Sequence, residues 1–281
     1  MEAVIVNTAK NRNRDKYTFA NINLLGKCNA DCFFCLGKDI EHLLSQHNQT
    51  QTHWLNWPNL QEFLNLCQEH HIEKIYLTGQ NTDPTLYRYL SGLIGFLQSA
   101  GFHVGIRTNG LAAERVLPAI NLCREEIGYS IHTLDPMTQK MVMGTEKIPD
   151  WGKLLTESGP NVRVSIVLNR CNEYELFDIL RFTRNFSDLR YIQVRRISTD
   201  TRLEALAPDM AAYERVYTIV SRAFPLKRRF VTDAEVYDIY GQDVVFWRTI
   251  KTSVNSMNYF TDGTISEKYF IVEGYLEQQG E

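Results

Sequence analysis

The chain has 281 residues, of which 44% are hydrophobic and 22% charged, and its formal net charge is −3. This composition is ordinary for a soluble globular protein and leaves room for one large α/β domain or two small ones. The mild negative charge does not favour a nucleic-acid partner, and no apolar run approaches the ~20 residues of a membrane span. The first residues lack a basic flank and a long apolar run, so we expect no signal peptide and a cytoplasmic location.

Short β-type runs alternate with longer helical runs along most of the chain. Strand patterns fall at residues 17–25, 74–78, 103–108, 127–132, 162–168 and 189–195. Helical patterns fall at residues 58–70, 84–100, 112–123, 136–143, 151–157, 173–185 and 208–223. About six β–α units predict the α/β fold class, with a parallel sheet and right-handed crossovers.

The chain changes character after about residue 230. Residues 245–247 and 259–265 look like a few strands and a turn, and Asp262-Gly263 within the second segment is a hairpin signal. We expect this β-rich tail to close or cap the main domain. The predicted division is an N-terminal extension (1–16), the main α/β domain (17–229) and a C-terminal capping extension (230–281).

Three cysteines, Cys28, Cys32 and Cys35, are spaced C-x3-C-x2-C. Thiolates bind iron–sulfur clusters, and a [4Fe–4S] cube held by only three of them keeps one iron open. An open position on a metal is a place for chemistry. A zinc site is one alternative, but no Cys or His pair follows at the spacing it needs. A disulfide framework is another, which the three scattered remaining cysteines do not support.

The cysteine run resembles the cluster loop of the radical S-adenosylmethionine (radical SAM) superfamily, and Phe34, just before the third cysteine, fits the same pattern. The resemblance implies a partial (β/α)6 barrel whose cluster loop follows the first strand. It also implies two cofactors, a [4Fe–4S] cluster on Cys28, Cys32 and Cys35, and SAM on the open iron. In that superfamily SAM is cleaved reductively to a 5′-deoxyadenosyl radical, which abstracts hydrogen from the substrate.

Sites in parallel α/β barrels lie at the carboxyl ends of the strands. The second strand leads into the segment from Gly79 to Pro84, where many radical SAM enzymes carry a Gly-Gly-Glu-Pro type motif that holds the SAM ammonium. This chain departs from that motif, yet the resemblance implies that Gly79, Gln80 and Asn81 bind SAM through accepting oxygens. The alternative is a helix start, with Asp83 as the cap and Pro84 in the first turn.

The third and fourth strands end in motifs similar to those of one radical SAM branch, which contains the molybdopterin GTP cyclase and peptide-modifying enzymes. The first motif is Thr108-Asn109-Gly110, and the resemblance implies Thr108 and Asn109 at the cofactor site, although Asn-Gly alone marks any turn. The second begins at Ser130 and resembles Ser-Leu-Asp-x-x-Asp-Pro, with His132 in place of an acid. Ser130 would then lie near the SAM ribose or carboxylate. His132 would contact substrate, or else be satisfied by nearby backbone.

Alternation along the last two strands predicts which side chains point into the barrel. In the fifth strand Ser165 and Asn169 share one face, and aliphatic residues that suit a helical cover share the other. The resemblance makes Ser165 a SAM contact and Asn169 an adenine-region contact. In the sixth strand the same reasoning points Arg195 into the mouth, where it could bind a carboxylate or phosphate. A structural ion pair is the alternative for Arg195.

The resemblance covers residues 17–200 and implies a radical SAM enzyme with His132 and Arg195 as the catalytic candidates. A small-molecule substrate, nucleotide- or sugar-like, is favoured over a ribosomally made peptide. Peptide-modifying relatives usually carry a recognition domain or a cysteine-rich C-terminal domain, and neither pattern occurs here. An electron donor such as flavodoxin or ferredoxin is the expected protein partner. A non-catalytic iron–sulfur or zinc-binding module is the alternative from another functional class.

Overall fold

The computed structural model describes residues 4–6, 17–44, 47–159, 161–199, 202–230, 234–248, 255–268 and 271–280. A short strand, β1 (Val4–Val6), precedes the six predicted strands. These are β2 (Tyr17–Leu25), β3 (Lys74–Gln80), β4 (His103–Thr108), β5 (Ile127–Ser130), β6 (Val162–Val167) and β7 (Leu189–Arg195). Strands β2 to β7 pair in parallel and in chain order, which confirms the predicted α/β class and its β–α units.

Helices follow the strands and cover one face of the sheet. They are α1 (Glu41–Leu44), α2 (Leu60–Glu69), α3 (Leu90–Ser99), α4 (Leu117–Ile120), α5 (Pro136–Met143), α6 (Trp151–Glu157), α7 (Leu176–Thr183), α8 (Ala207–Ala223) and α9 (Ile271–Gln279). Helix α9 was not predicted from the sequence. None of the helices in the described part of the chain is long and apolar enough to cross a membrane.

Two predicted helices are interrupted in the structure. Within residues 84–100, a single 3-10 turn ends at Leu86, because Tyr87 is extended and its hydroxyl donates to the carbonyl oxygen of Thr52 at 2.9 Å. Within residues 112–123, a 3-10 turn is followed by the four-residue helix α4. Pro118 has no N–H to donate to the preceding turn, so the first turn cannot continue as a regular helix.

The tail adds strands to both edges of the sheet. These are β8 (Leu226–Phe230), β9 (Ala234–Ile239), β10 (Gln242–Trp247), β11 (Asn255–Phe260) and β12 (Ile265–Ser266). Strand β10 pairs in parallel with β7, and β11 pairs in parallel with β2, so eight neighbouring strands are parallel. Strand β9 pairs antiparallel with β10 and β8, and β12 forms an antiparallel edge on β11. The β11–β12 turn contains Gly263 at φ +100°, as the hairpin signal predicted. The boundary at residue 230 stays a prediction.

The two faces of the sheet differ in chemistry. Aliphatic side chains such as Ile75, Leu77, Val164 and Ile166 are fully buried in the main core, on the face that the helices cover. The alternate positions are polar and line the concave inner face of the sheet. Because successive residues of a strand point to opposite faces, the helical cover fixes which side chains face inward. The carboxyl ends of the strands thus place several polar groups around one opening.

Candidate functional site

The cysteine loop follows β2, at the carboxyl end of the parallel sheet. Cys28, Cys32 and Cys35 are each partly exposed, and the loop is closed by a hydrogen bond from the Cys35 N–H to the Cys32 carbonyl oxygen at 3.1 Å. Burial raises the pKa of the Cys28 thiol to about 11, and it raises the pKa values of Cys32 and Cys35 as well. Neighbouring thiolates add to the shifts of Cys28 and Cys32 through mutual repulsion. Such thiols ionise when they coordinate a metal, whose charge reverses this preference.

The three thiols of this loop are the donors that a cluster would use. A [4Fe–4S] cube is held by thiolates bound to different irons. Among the described residues, no three Cys, His, Asp or Glu side chains are grouped closely enough to hold a single metal ion. Of the other cysteines, Cys67 lies in the hydrophobic core and Cys171 in the loop after β6.

The Thr-Asn-Gly segment after β4 holds the cysteine loop. The side-chain amide of Asn109 donates to Oδ1 of Asn29 at 2.8 Å and lies 3.7 Å from the Cys28 sulfur. On the other side of the loop, the Asp31 N–H donates to the carbonyl oxygen of Met143, at the end of α5, at 2.8 Å. Gly144 follows at φ +71°, where a β-carbon would lie 2.8 Å from the Asp31 side chain. These contacts fix the loop against β4 and α5.

A third anchor comes from Arg202, beyond β7. Its Nη1 and Nη2 donate to the carbonyl oxygens of Phe33 and Cys35 at 2.6 and 2.7 Å, and its Nε donates to Asp39. The side chain of Asp39 is completely buried. Sequence reasoning missed both residues, because no local motif links positions that are more than 160 residues apart.

The segment after β3 turns sharply toward the cysteine loop. A β-carbon on Gly79 would lie 2.0 Å from the Thr82 carbonyl oxygen, so only glycine fits. Asn81 adopts φ +54°, and its backbone N–H packs closely against Gly37. Asp83 is buried, and its carboxylate accepts from the Thr85 N–H at 2.9 Å, as the cap alternative predicted.

Asp83 also connects β3 with β4. Its carboxylate accepts from the hydroxyl of Thr108 at 2.8 Å and from the N–H of Asn109 at 2.7 Å. Burial raises the pKa of Asp83, against the opposing effect of these hydrogen bonds. The Thr108 hydroxyl therefore donates its proton to the hydrogen bond with Asp83. Thr108 also precedes Asn109, the residue that contacts the cysteine loop. A direct contact between Thr108 and a cofactor stays a prediction.

One cavity of about 270 Å³ joins the cysteine loop to the strand ends and brings together several predicted site residues. From the sequence-predicted set, it is lined by Phe34, Cys35, Gly79, Gln80, Ser130 and Arg195. The remaining lining residues are Leu36, Gly37, Val167, Arg196, Ile197 and Ser198. We call this space the strand-end cavity. Asn81 lines a different cavity with Cys28, on the other side of the loop.

His132, Ser165 and Asn169 lie beside the strand-end cavity but do not line it. Nδ1 of His132 accepts from the Val167 N–H at 3.1 Å, so nearby backbone satisfies this nitrogen. Its ring packs edge-on against Phe34 with centres 5.0 Å apart. Burial lowers the pKa of His132 from 6.5 to about 4. Ser165 pairs with Ser130 across β5 and β6.

Asn169 has no solvent exposure and closes the turn after β6. Its Oδ1 accepts from the Cys171 N–H at 2.9 Å, and its Nδ2 donates to the Val167 carbonyl oxygen at 3.1 Å. Both ends of this amide thus bind the protein's own backbone. The predicted adenine contact of Asn169 stays a prediction.

A second and larger cavity, of about 380 Å³, lies on the inner face of β7, β10, β9 and β8. We call it the inner-face cavity. Its lining residues are Arg190, Tyr191, Gln193, Arg228, Phe230, Ala234, Val236, Val245 and Trp247. Its described lining thus contains aromatic rings, one amide and two arginines, but no carboxylate. Arg195 connects the two cavities, because it lines the first and its guanidinium lies 5.6 Å from the centre of the Trp247 ring.

The arrangement agrees with comparisons to known proteins. No protein-family model matches the chain. The molybdenum cofactor biosynthesis protein moc-5 of Caenorhabditis elegans is 28% identical over 190 residues, covering 63% of this chain and 30% of that protein. An S-adenosylmethionine-dependent nucleotide dehydratase of a Thermoplasmatales archaeon is 30% identical over 121 residues, covering 43% of this chain and 40% of that protein. Both similarities agree with the resemblance to the radical SAM superfamily that the cysteine motif indicates. The chain spans less than half the length of either relative.

Solved structures show the same fold at low sequence identity. Streptococcus suis SuiB, solved with S-adenosylmethionine bound, matches with a TM-score of 0.57 at 14% identity, over 89% of this chain and 58% of SuiB. HydG, a maturase of the [FeFe]-hydrogenase, matches with a TM-score of 0.51 at 9% identity, over 77% of this chain and 52% of HydG. At these identities the likeness concerns the radical SAM barrel fold alone, and it confirms the predicted partial barrel.

Proposed function

We propose that this radical SAM protein cleaves S-adenosylmethionine and abstracts a hydrogen atom from a nucleotide-like small molecule. Cys28, Cys32 and Cys35 would hold the [4Fe–4S] cluster. When bound and reduced, the cluster would supply the electron that splits SAM into methionine and a 5′-deoxyadenosyl radical. The donor set supports this assignment, since three thiols share one loop at the carboxyl end of the sheet and the other three cysteines lie outside that loop.

The strand-end cavity is the proposed SAM site. It begins at Cys35 and Phe34 and reaches Ser130 and Arg195, so a ligand on the open iron would extend across the strand ends. The hydroxyl of Ser130 and the amide of Gln80 offer polar contacts, and Arg195 can pair with a carboxylate. Asn109 and Asp83 would act by holding the loops, and His132 by supporting the ring of Phe34. The protein's contribution would be orientation and the exclusion of water.

The observation that carries the substrate proposal is the chemistry of the inner-face cavity. Trp247, Phe230 and Tyr191 offer faces for a planar ring, and Gln193 offers both a donor and an acceptor to a base edge. Arg190 and Arg228 can bind phosphate oxygens, although Arg228 also reaches Asp243 at 2.7 Å. The name of one relative, a nucleotide dehydratase, agrees with this chemistry.

The two cavities are adjacent, which the proposed reaction requires. Arg195 lies between them, with its side chain over Trp247. A nucleotide whose ring stacks on Trp247 would lie beside Arg195 and the strand-end cavity. Its C–H bonds would then be close to the adenosyl end of a SAM molecule bound in the strand-end cavity. An unmodified peptide lacks the phosphate that the two arginines of this lining could bind.

The test compares two neighbouring arginines. Cluster-loaded protein, reduced with dithionite, is given SAM and a set of ribonucleoside triphosphates, and 5′-deoxyadenosine is measured by chromatography. We expect at least one triphosphate to accelerate its formation, and the matching nucleoside to do so only weakly. Arg228→Gln should raise the KM for the triphosphate by roughly 10-fold or more, since a hydrogen bond to a charged group contributes about 1.5–3 kcal/mol.

Arg229→Gln is the matched control. Arg229 is the next residue of β8, but it faces the other side of the sheet and pairs with Glu235. Its KM should stay within about twofold of wild type. Equal effects of the two variants, or equal stimulation by nucleoside and triphosphate, would contradict the phosphate site. Loaded, reduced protein that forms no 5′-deoxyadenosine with any compound would favour the non-catalytic alternative.

A further inference from the structure

The cysteine loop receives an unusually complete set of contacts from one arginine. All three branches of the Arg202 guanidinium are used: Nη1 reaches the Phe33 carbonyl oxygen at 2.6 Å, Nη2 reaches the Cys35 carbonyl oxygen at 2.7 Å, and Nε reaches Asp39. Two of these acceptors are backbone atoms at and beside predicted cluster ligands. The planar fork of arginine reaches three acceptors at fixed angles, which a lysine ammonium on its flexible stem does not reproduce.

Asp39 and Thr199 complete the network. The Thr199 hydroxyl donates to Oδ2 of Asp39 at 2.8 Å, and it accepts from the Arg202 N–H at 3.1 Å. The Asp39 side chain is fully buried, and that of Arg202 is 25% exposed. Buried charged groups are tolerated when they are paired and hydrogen-bonded, as they are here. The charged groups of the network are therefore hydrogen-bonded to each other, and Arg202 also contacts the carbonyl oxygen of the third cysteine, Cys35.

The same stretch of chain touches both the loop and the strand-end cavity. Residues 195–198, at the end of β7 and just after it, line that cavity, and Thr199 and Arg202 bind the cysteine loop. The positive charge of Arg202 thus lies beside the loop, with Nη2 2.7 Å from the Cys35 carbonyl oxygen. A positive charge close to an iron–sulfur cluster favours the reduced form, because net charge and hydrogen bonding set the reduction potential.

We propose that Arg202 is a positioning residue that fixes the backbone from Phe33 to Cys35 and raises the reduction potential of the cluster held there. The proposal rests on the cluster assignment made above, but not on SAM cleavage or on the substrate. The side chain of Arg202 would thus make two contributions. Its guanidinium hydrogen bonds hold the loop, and its positive charge raises the reduction potential of the cluster.

The first measurement needs no cluster. Hydrogen–deuterium exchange of the cluster-free protein reports on the backbone amides of residues 28–40. Arg202→Gln and Arg202→Lys should both exchange about tenfold faster there than wild type, since neither can make all three contacts. Arg181→Gln is the matched control: Arg181 forms an exposed ion pair with Asp178 on α7 and should leave this loop unchanged. Unchanged protection in both Arg202 variants would overturn the positioning role, even if neither variant binds a cluster.

The second measurement uses the loaded protein without SAM. Potentiometric titration, followed by the paramagnetic resonance signal of the reduced cluster, gives the midpoint potential. For Arg202→Gln we expect the ratio of reduced to oxidised cluster at a fixed potential to fall about tenfold, which is a shift of about 59 mV for one electron. Arg202→Lys keeps the charge and should recover most of that ratio. A Gln variant with the wild-type midpoint, or a Lys variant as low as Gln, would overturn the electrostatic part.

Discussion

The neutral, buried state of His132 predicts a specific loss of stability in mild acid. Its Nδ1 accepts from the Val167 N–H, so a proton on this nitrogen would remove that hydrogen bond and leave two donors facing each other. Burial lowers the pKa of His132 in the folded protein from 6.5 to about 4. Between these two values the unfolded chain binds a proton at this position and the folded chain does not. Acid therefore favours unfolding throughout that range.

The size of the effect follows from the shift. One pKa unit corresponds to about 1.4 kcal/mol, so the full shift corresponds to about 3.4 kcal/mol once the pH is well below 4. Between pH 7 and pH 5 the contribution of His132 to the free energy of unfolding falls by about 2 kcal/mol. That loss is a substantial part of the stability of a typical domain.

The variant that tests this reasoning is His132→Asn. The side-chain oxygen of asparagine can accept from the Val167 N–H as Nδ1 does, but it does not titrate in this range. Urea unfolding of the cluster-free protein, under reducing conditions at pH 7, 6 and 5, gives the free energy for each protein. Wild type should lose about 2 kcal/mol more than His132→Asn over this range, whatever the starting stability of the variant.

His103→Gln is the control, because His103 is exposed at the start of β4 and its loss should leave the wild-type slope. Carboxylates elsewhere titrate alike in all three proteins, so they cancel in the comparison. If wild type and His132→Asn lose stability in parallel, the folded protein must accept the proton without strain. The inference of a neutral, backbone-bound His132 would then be wrong.

Two further changes separate the cluster from the scaffold. Wild type should gain about four irons per chain on anaerobic reconstitution, which is the content of one cube, and Cys32→Ala should lose most of them. Cys67→Ala, on the buried face of α2, should keep the wild-type iron content. Equal iron in the two variants, measured by iron analysis, would contradict the ligand assignment. Glu126→Gln should lower the free energy of unfolding by about 3–5 kcal/mol, because Arg163 would be left as a buried charge without its paired carboxylate. A decrease of less than about 1 kcal/mol in urea unfolding would contradict this prediction.

The sequence predicts the parts of this structure that depend on local pattern. The cysteine spacing locates the loop at the end of β2, and the two-residue alternation places Ser165 and Arg195 on the inner face. Both predictions follow from geometry that neighbouring residues determine. The strand bounds of β2, β4 and β7 agree with the structure for the same reason. Helix lengths were less predictable, because the fixed ring of Pro118 and the packing of Tyr87 interrupt otherwise helical patterns.

Contacts between distant segments were beyond the reach of sequence pattern. Arg202 lies in a loop without a recognisable motif, and its partners precede it by more than 160 residues. The basic run Lys227 to Arg229 is exposed in strand β8, and its charges are divided between the two faces of the sheet. Arg228 lines the inner-face cavity and Arg229 pairs with Glu235. Only the pairing of β8 with β9 determines that division.

The cysteine loop is held from three directions, by Asn109 after β4, by the end of α5 and by Arg202 after β7. These anchors come together only when the parallel sheet has formed, since each lies on a different β–α unit. The thiols are therefore ordered by the barrel and not by the loop sequence alone. It follows that cluster binding and barrel folding are coupled, because a ligand held only by the folded state stabilises that state. A change that weakens the sheet far from the cysteines, such as the loss of Glu126, should accordingly lower the iron content as well as the stability.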